Sequence, residues 1–145
     1  EGLQVTCGTM GMPTATVKLR DAAGKMHVQA AIGTGPVHAS YEAVDAIVGV
    51  ATQLLEFNIH AVTEGIDALG EVTVRLLAEN GQDQHRTSPQ NGQVHSRTFG
   101  GYGADTDIIV AATKAYLAAL NKLLVSRGYL QDMQPQENAE IKVAA

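Results

Sequence analysis

The side chains able to do chemistry are few and scattered. Five histidines, His27, His38, His60, His85 and His95, are spaced so that none forms a His-x-His or His-x-x-x-His pair and none opens a His-Glu-x-x-His run. The spacings that ligate a metal from one strand or one helical turn are therefore missing, and no metal site is expected. Cys7 stands alone, with no basic neighbour or helix start to lower its pKa, and is expected to be a structural thiol of the buried kind. Gly33-Thr34-Gly35 and Gly101-Tyr102-Gly103 lack the third glycine of a dinucleotide fingerprint, and the chain carries no nucleophile elbow or Walker loop. No catalytic set is complete. What remains is a Gly-x-Gly before each of two apolar helical runs, where free N–H groups and the positive end of the dipole suit a carboxylate or phosphate. Asp105 and Asp107 follow the second of these turns. They are either an N-cap and first-turn charge, or a counter-charge for an ammonium group, in which case the site suits a zwitterionic amino acid.

The elements that must position these residues read as two similar units. Leu3–Cys7, Thr14–Arg20 and Met26–Ile32 alternate as strands, with Ala15, Val17 and Leu19 on one face and Asp21-Ala22-Ala23-Gly24 as a turn. Pro36 opens a helix running to about Ala51, with Val37, Tyr41, Val44 and Val48 on one stripe. The order then recurs: strands Leu55–Val62, Glu71–Leu77 and Val94–Phe99, then a long helix over Ala104–Val125. A shift of 68 positions lays Gly33-Thr34-Gly35 on Gly101-Tyr102-Gly103 and His27 on His95. The hairpin before it needs a shorter shift, because a polar run from Gln82 to Gln93 is inserted and is expected to be a mobile loop. The fold class expected is α+β: two consecutive βββα units related by an internal pseudo-two-fold, with antiparallel sheets packed against two helices. One domain spans 1–130, its units about 1–53 and 54–130, and the polar tail 131–145 is expected to be disordered.

Composition bounds the function. The 145 residues are 45% apolar, enough for one real core, and 10 Lys+Arg against 15 Asp+Glu give a net charge of −5. That sign argues against nucleic-acid and anionic-membrane partners, and no apolar run is expected to reach the ~18 residues of a membrane span. A lone cysteine and no secretory pattern give a reducing, cytoplasmic location as the expectation. The chain begins with Glu1, the expectation for a processed or excised piece.

Three stretches in order resemble one family. Gly33-Thr34-Gly35-Pro36-Val37-His38-Ala39, His60-Ala61-Val62-Thr63-Glu64-Gly65-Ile66-Asp67-Ala68-Leu69-Gly70-Glu71-Val72 and Gly103-Ala104-Asp105-Thr106-Asp107-Ile108-Ile109-Val110-Ala111-Ala112 are similar to the C-terminal regulatory domain of 2-isopropylmalate synthases, over about Leu3 to Leu124. The resemblance implies a homodimer that binds L-leucine near the interface of two copies and inhibits a separate catalytic barrel. That barrel, which condenses acetyl-CoA with 2-oxoisovalerate using a divalent metal, is absent from this chain; no catalysis and no cofactor are expected of the chain itself. Carried over by motif, the leucine site comprises Val37, His38, Ala39, Leu54, Phe57, Ala61, Ala68 and Gly70, with Asp105 and Asp107, beside backbone turns at Gly33, Gly35, Gly101 and Gly103. Val37, Leu54 and Phe57 are equally the core residues of any fold with this periodicity. Three alternatives stand beside this reading: the isoleucine-sensing domain of citramalate synthases, a ligand-free dimerisation module, and a small enzyme using Asp105, Asp107 and His38 or His95.

Overall fold

The computed structural model describes residues 2–50, 52–61, 65, 68–78 and 97–127. The insertion Gln82–Gln93, the tail 131–145, His85 and His95 lie outside them. Strands β1 (Gly2–Thr6), β2 (Thr14–Arg20) and β3 (Met26–Ile32) form one antiparallel sheet in that order and are followed by helix α1 (Pro36–Val48). Strands β4 (Thr52–Ala61), β5 (Gly70–Ala78) and β6 (Thr98–Asp105) form a second, followed by helix α2 (Ile108–Ser126). The expected pair of βββα units is present.

Local chemistry explains the boundaries. The β2–β3 turn closes through Asp21, whose N–H donates to the Lys25 carbonyl at 3.0 Å while Gly24 takes φ +84°, a left-handed conformation that favours glycine. His27 fixes the turn further, its Nε2 lying 2.9 Å from Asp21 Oδ2. That hydrogen bond holds the Asp21 carboxyl below the usual carboxylate range. Helix α1 starts with Pro36 in its first turn and ends three residues short of Ala51. Gly49 adopts φ +70° there and donates to the Asp45 carbonyl at 2.7 Å. Helix α2 is capped by Asp107, whose Oδ1 accepts from the N–H groups of Ile109 at 2.9 Å and Val110 at 3.4 Å.

The third strand of the second unit differs most from expectation. It does not end at Phe99 but runs through Gly100, Gly101, Tyr102 and Gly103 to Asp105, so the second Gly-x-Gly is strand, not turn. The reason is packing. Gly101 and Gly103 are buried on the face beneath α2, and a Cβ built on them would lie 1.9 Å from the Ala115 carbonyl oxygen and 2.3 Å from that of Ala111. Ala111, Ala115 and Ala119, one helical turn apart, complete the close approach. The repeat register changes accordingly. A shift of 72, not 68, carries α1 onto α2, laying the buried Ala39, Ser40, Tyr41, Ala43 and Val44 on the buried Ala111, Ala112, Thr113, Ala115 and Tyr116.

The two units share a core of Val17, Tyr41, Val44, Val72, Val74, Leu76, Tyr116 and Leu120. Helix α1 lies on β2 and β3, α2 lies on β5 and β6, and the helices touch each other. Contrary to the sequence expectation, α2 is long and apolar enough by composition to cross a membrane. Its apolar stripe is instead spent on the second sheet, with Ala111, Ala115, Ala119 and Leu123 fully buried. Cys7 also departs from expectation: it falls one residue past β1, in an exposed loop that runs to Met12.

Candidate functional site

The expected site residues fall into two groups. The first surrounds the start of α1. Gly33 is a packing residue, because a Cβ there would lie 2.3 Å from the Ala39 nitrogen. Gly35 is the N-cap, and its carbonyl accepts from the Ala39 N–H at 2.9 Å. Ala39 is fully buried and Val37 half-buried against the shared core, whereas His38 is exposed. The His38 ring is held locally: Nδ1 accepts from the Thr34 N–H at 3.0 Å and Nε2 lies 3.2 Å from Glu42.

The second group spans β4, the start of β5 and the start of α2. A β-bulge between Leu54 and Glu56 shifts the register, so that Leu54 lies opposite Leu76, Phe57 opposite Val74, Ile59 opposite Val72 and Ala61 opposite Gly70. Residues directly opposite share a face, so Leu54, Phe57, Ile59 and Ala61 all stand on the side where Val72, Val74 and Leu76 form the core. Only part of that face is covered. Phe57 is half-buried, meeting Tyr41 edge to face at 6.4 Å between ring centres, while Leu54 and Ile59 remain 42% and 50% exposed. Gly70 sits under Ile108, whose Cδ1 would be 2.6 Å from an added Cβ, and Ala68 donates to the Gly65 carbonyl at 3.3 Å.

The acids belong to this second group and are already engaged. Asp105 Oδ2 accepts from Lys114 Nζ at 2.6 Å and Oδ1 from the Asp107 N–H at 3.0 Å, and the Lys114 bond holds its carboxyl below the ordinary range. Asp107 caps α2. These bonds are local to the start of each helix, and among the described residues no hydrogen bond or ion pair joins His38 to Asp105 or Asp107. Among the described residues, no three His, Cys, Asp or Glu side chains gather as metal ligands would.

Sequence reasoning missed Ile59 and Ile108. Ile59 did have a periodic signal, since Phe57, Ile59 and Ala61 alternate along one strand face; the bulge that brings Leu54 onto that face leaves none.

The family model for the LeuA allosteric (dimerisation) domain matches residues 1–124. The chain belongs to the LeuA allosteric domain family. Relatives of this LeuA-type chain include "2-isopropylmalate synthase B" of Solanum pennellii, 45% identical over 142 residues, covering 97% of this chain and 23% of that protein. "2-isopropylmalate synthase 2, chloroplastic" of Arabidopsis thaliana is 50% identical over 122 residues, covering 84% and 19%. A 2-isopropylmalate synthase of Gloeothece citriformis is 46% identical over 145 residues, covering 100% and 23%. The chain thus spans about a fifth of the length of the curated relatives it matches. The LeuA domain match and the two βββα units agree on where the resemblance lies, since the matched region ends inside α2.

Proposed function

We propose that this LeuA domain is the leucine sensor of a 2-isopropylmalate synthase and works as a homodimer. The observation that supports it best is the partly uncovered apolar strip of Leu54, Phe57 and Ile59 on the core side of β4. Such a strip is stabilised by burial against another surface, and a second copy supplies one. In this reading the dimer apposes the α1-start group of one copy to the β4 group of the other. Val37, Leu54, Phe57 and Ala61 then enclose a branched side chain, and small residues at Ala68 and Gly70 leave room for it. The free N–H groups at the start of α1 hold the ligand carboxylate, and Asp105 or Asp107 faces its ammonium.

Leucine binding in this reading restrains a separate barrel that joins acetyl-CoA to 2-oxoisovalerate with a divalent metal. The chain itself is regulatory and takes no cofactor. In this reading the chain works in the cytoplasm, although one relative is named chloroplastic.

The test is a titration of the chain with L-leucine, L-isoleucine and L-valine, following melting temperature and mass by light scattering. A ligand that binds the folded state raises the melting temperature by mass action. L-leucine is expected to give the largest rise, on a dimer. A larger rise with L-isoleucine would favour the citramalate synthase alternative, and no rise with any of the three would leave a ligand-free dimerisation module. Gly70→Val is expected to weaken leucine binding while the fold survives, because the atom it meets is the flexible end of Ile108.

A further inference from the structure

The two units are not filled alike at the seam between each helix and the neighbouring unit's sheet. In one seam, α1 meets β4: Tyr41 contacts Phe57 edge to face, and the Tyr41 ring stacks on Tyr116 at 4.0 Å. In the other, α2 faces β1 and β2 across a cleft that residues of all three line. The 72-residue helix shift places Thr113 where the first seam has Tyr41, and Lys114 where it has Glu42. Leu3, opposite Val17, takes the place of Phe57, opposite Val74. Both aromatic rings are thus replaced by smaller side chains, and a cavity of about 290 Å³ opens between β1, β2 and α2.

The space is a cleft open to solvent on one side, and its volume is near the lower end of ligand-sized pockets, ~300 Å³. Its walls are Leu3, Val17, Leu19, Val110 and Leu117. Thr113 adds its methyl, because its hydroxyl donates to the Ile109 carbonyl at 2.9 Å. Among the described residues, the charged ones lining it are Lys18 and Lys114, with no carboxylate. Lys114 serves Asp105 with one of three N–H donors, leaving two, and Lys18 has no ion-pair partner among the described residues.

We propose that this cavity binds a small aliphatic carboxylate, with its hydrocarbon body against Leu3, Val17 and Leu117 and its carboxylate on the Lys114 ammonium. The site is distinct from the leucine site proposed above, shares none of its residues, and stands whether or not that reading holds.

The experiment uses the 145-residue chain with ¹³C-labelled methyl groups, titrated with 4-methylpentanoate. Saturable shifts are expected at Leu3, Val110 and Leu117 with an affinity in the millimolar range or tighter. The amine of matching shape, 3-methylbutylamine, is expected to give none. Lys114→Met should weaken binding at least roughly tenfold, the scale of one charge-assisted hydrogen bond, whereas Lys122→Met, which removes a lysine outside the cleft lining, should retain it. Thr113→Tyr, restoring the aromatic of the first seam, should abolish binding.

Absence of saturable shifts at those methyls in the unmodified chain would overturn the proposal without reliance on any variant. So would shifts confined to Leu54 and its neighbours, or shifts that track protein concentration and not ligand, since a second copy would then fill the cavity. A parallel titration with L-leucine reads the β4 group separately, so failure of one site is distinguishable from failure of the other.

Discussion

At the residue scale, the glycines divide by what stands above them. Gly101 has the Ala115 carbonyl where a Cβ would go, at 1.9 Å, and both atoms are backbone-anchored, so Gly101→Ala must separate β6 from α2. A loss of at least ~3 kcal/mol in urea unfolding is expected, the upper range for overpacking a core. Gly100, one residue away, faces outward with its nearest neighbour at 3.9 Å, and Gly100→Ala should change stability by no more than ~0.5 kcal/mol. Equal effects at the two positions would contradict the strand assignment of β6. Asp107 is the helix cap, and its replacement by Ala should cost about 1 kcal/mol in the same measurement. Of the Gly-x-Gly pairs, the types were legible in the sequence but their roles were not. Both look like turns locally, and only the helix lying across Gly101 and Gly103 makes them strand.

At the scale of elements, the α1–α2 junction is tied by a polar chain. Tyr116 donates to Asp45 Oδ1 at 2.7 Å and accepts from the Thr52 hydroxyl at 3.0 Å, while Tyr41 donates to the Ala112 carbonyl at 3.0 Å. Burial pushes the Asp45 carboxyl up to about 6, opposed by the Tyr116 hydrogen bond and assisted by the nearby Glu42 charge. The native state therefore keeps this proton over a window in which the unfolded chain, with an ordinary value of 3.8, has lost it. Stability from this group falls as pH rises from about 4 to about 6. Melting curves across that window should slope less in Asp45→Asn, which keeps an acceptor for Tyr116 but does not titrate. Identical slopes would show that Asp45 does not carry the effect. Helical periodicity announced α1 and α2, but nothing in it marked Asp45, which sits on the flank where the second helix arrives.

At the scale of the whole molecule, two copies of one supersecondary plan share a core yet differ at their seams and edges. The β4 edge keeps Leu54 and Ile59 half in solvent, and we expect light scattering to report a dimer that Ile59→Lys dissociates while leaving the secondary structure intact by circular dichroism. A monomeric parent chain would contradict that assignment. By itself the sequence determined the order of elements, the two helices and most strands, because alternation and 3.6-residue spacing are local consequences of which face meets the core. It also carried the family, through three stretches whose residue types survive without any knowledge of their contacts. Tertiary structure alone decided the rest. The bulge beside Leu55 puts Leu54 and Phe57, three residues apart, on one face; the approach of α2 extends β6 through its glycines and resets the repeat from 68 to 72. Each depends on where a distant backbone comes to rest, and a local pattern contains no term for that.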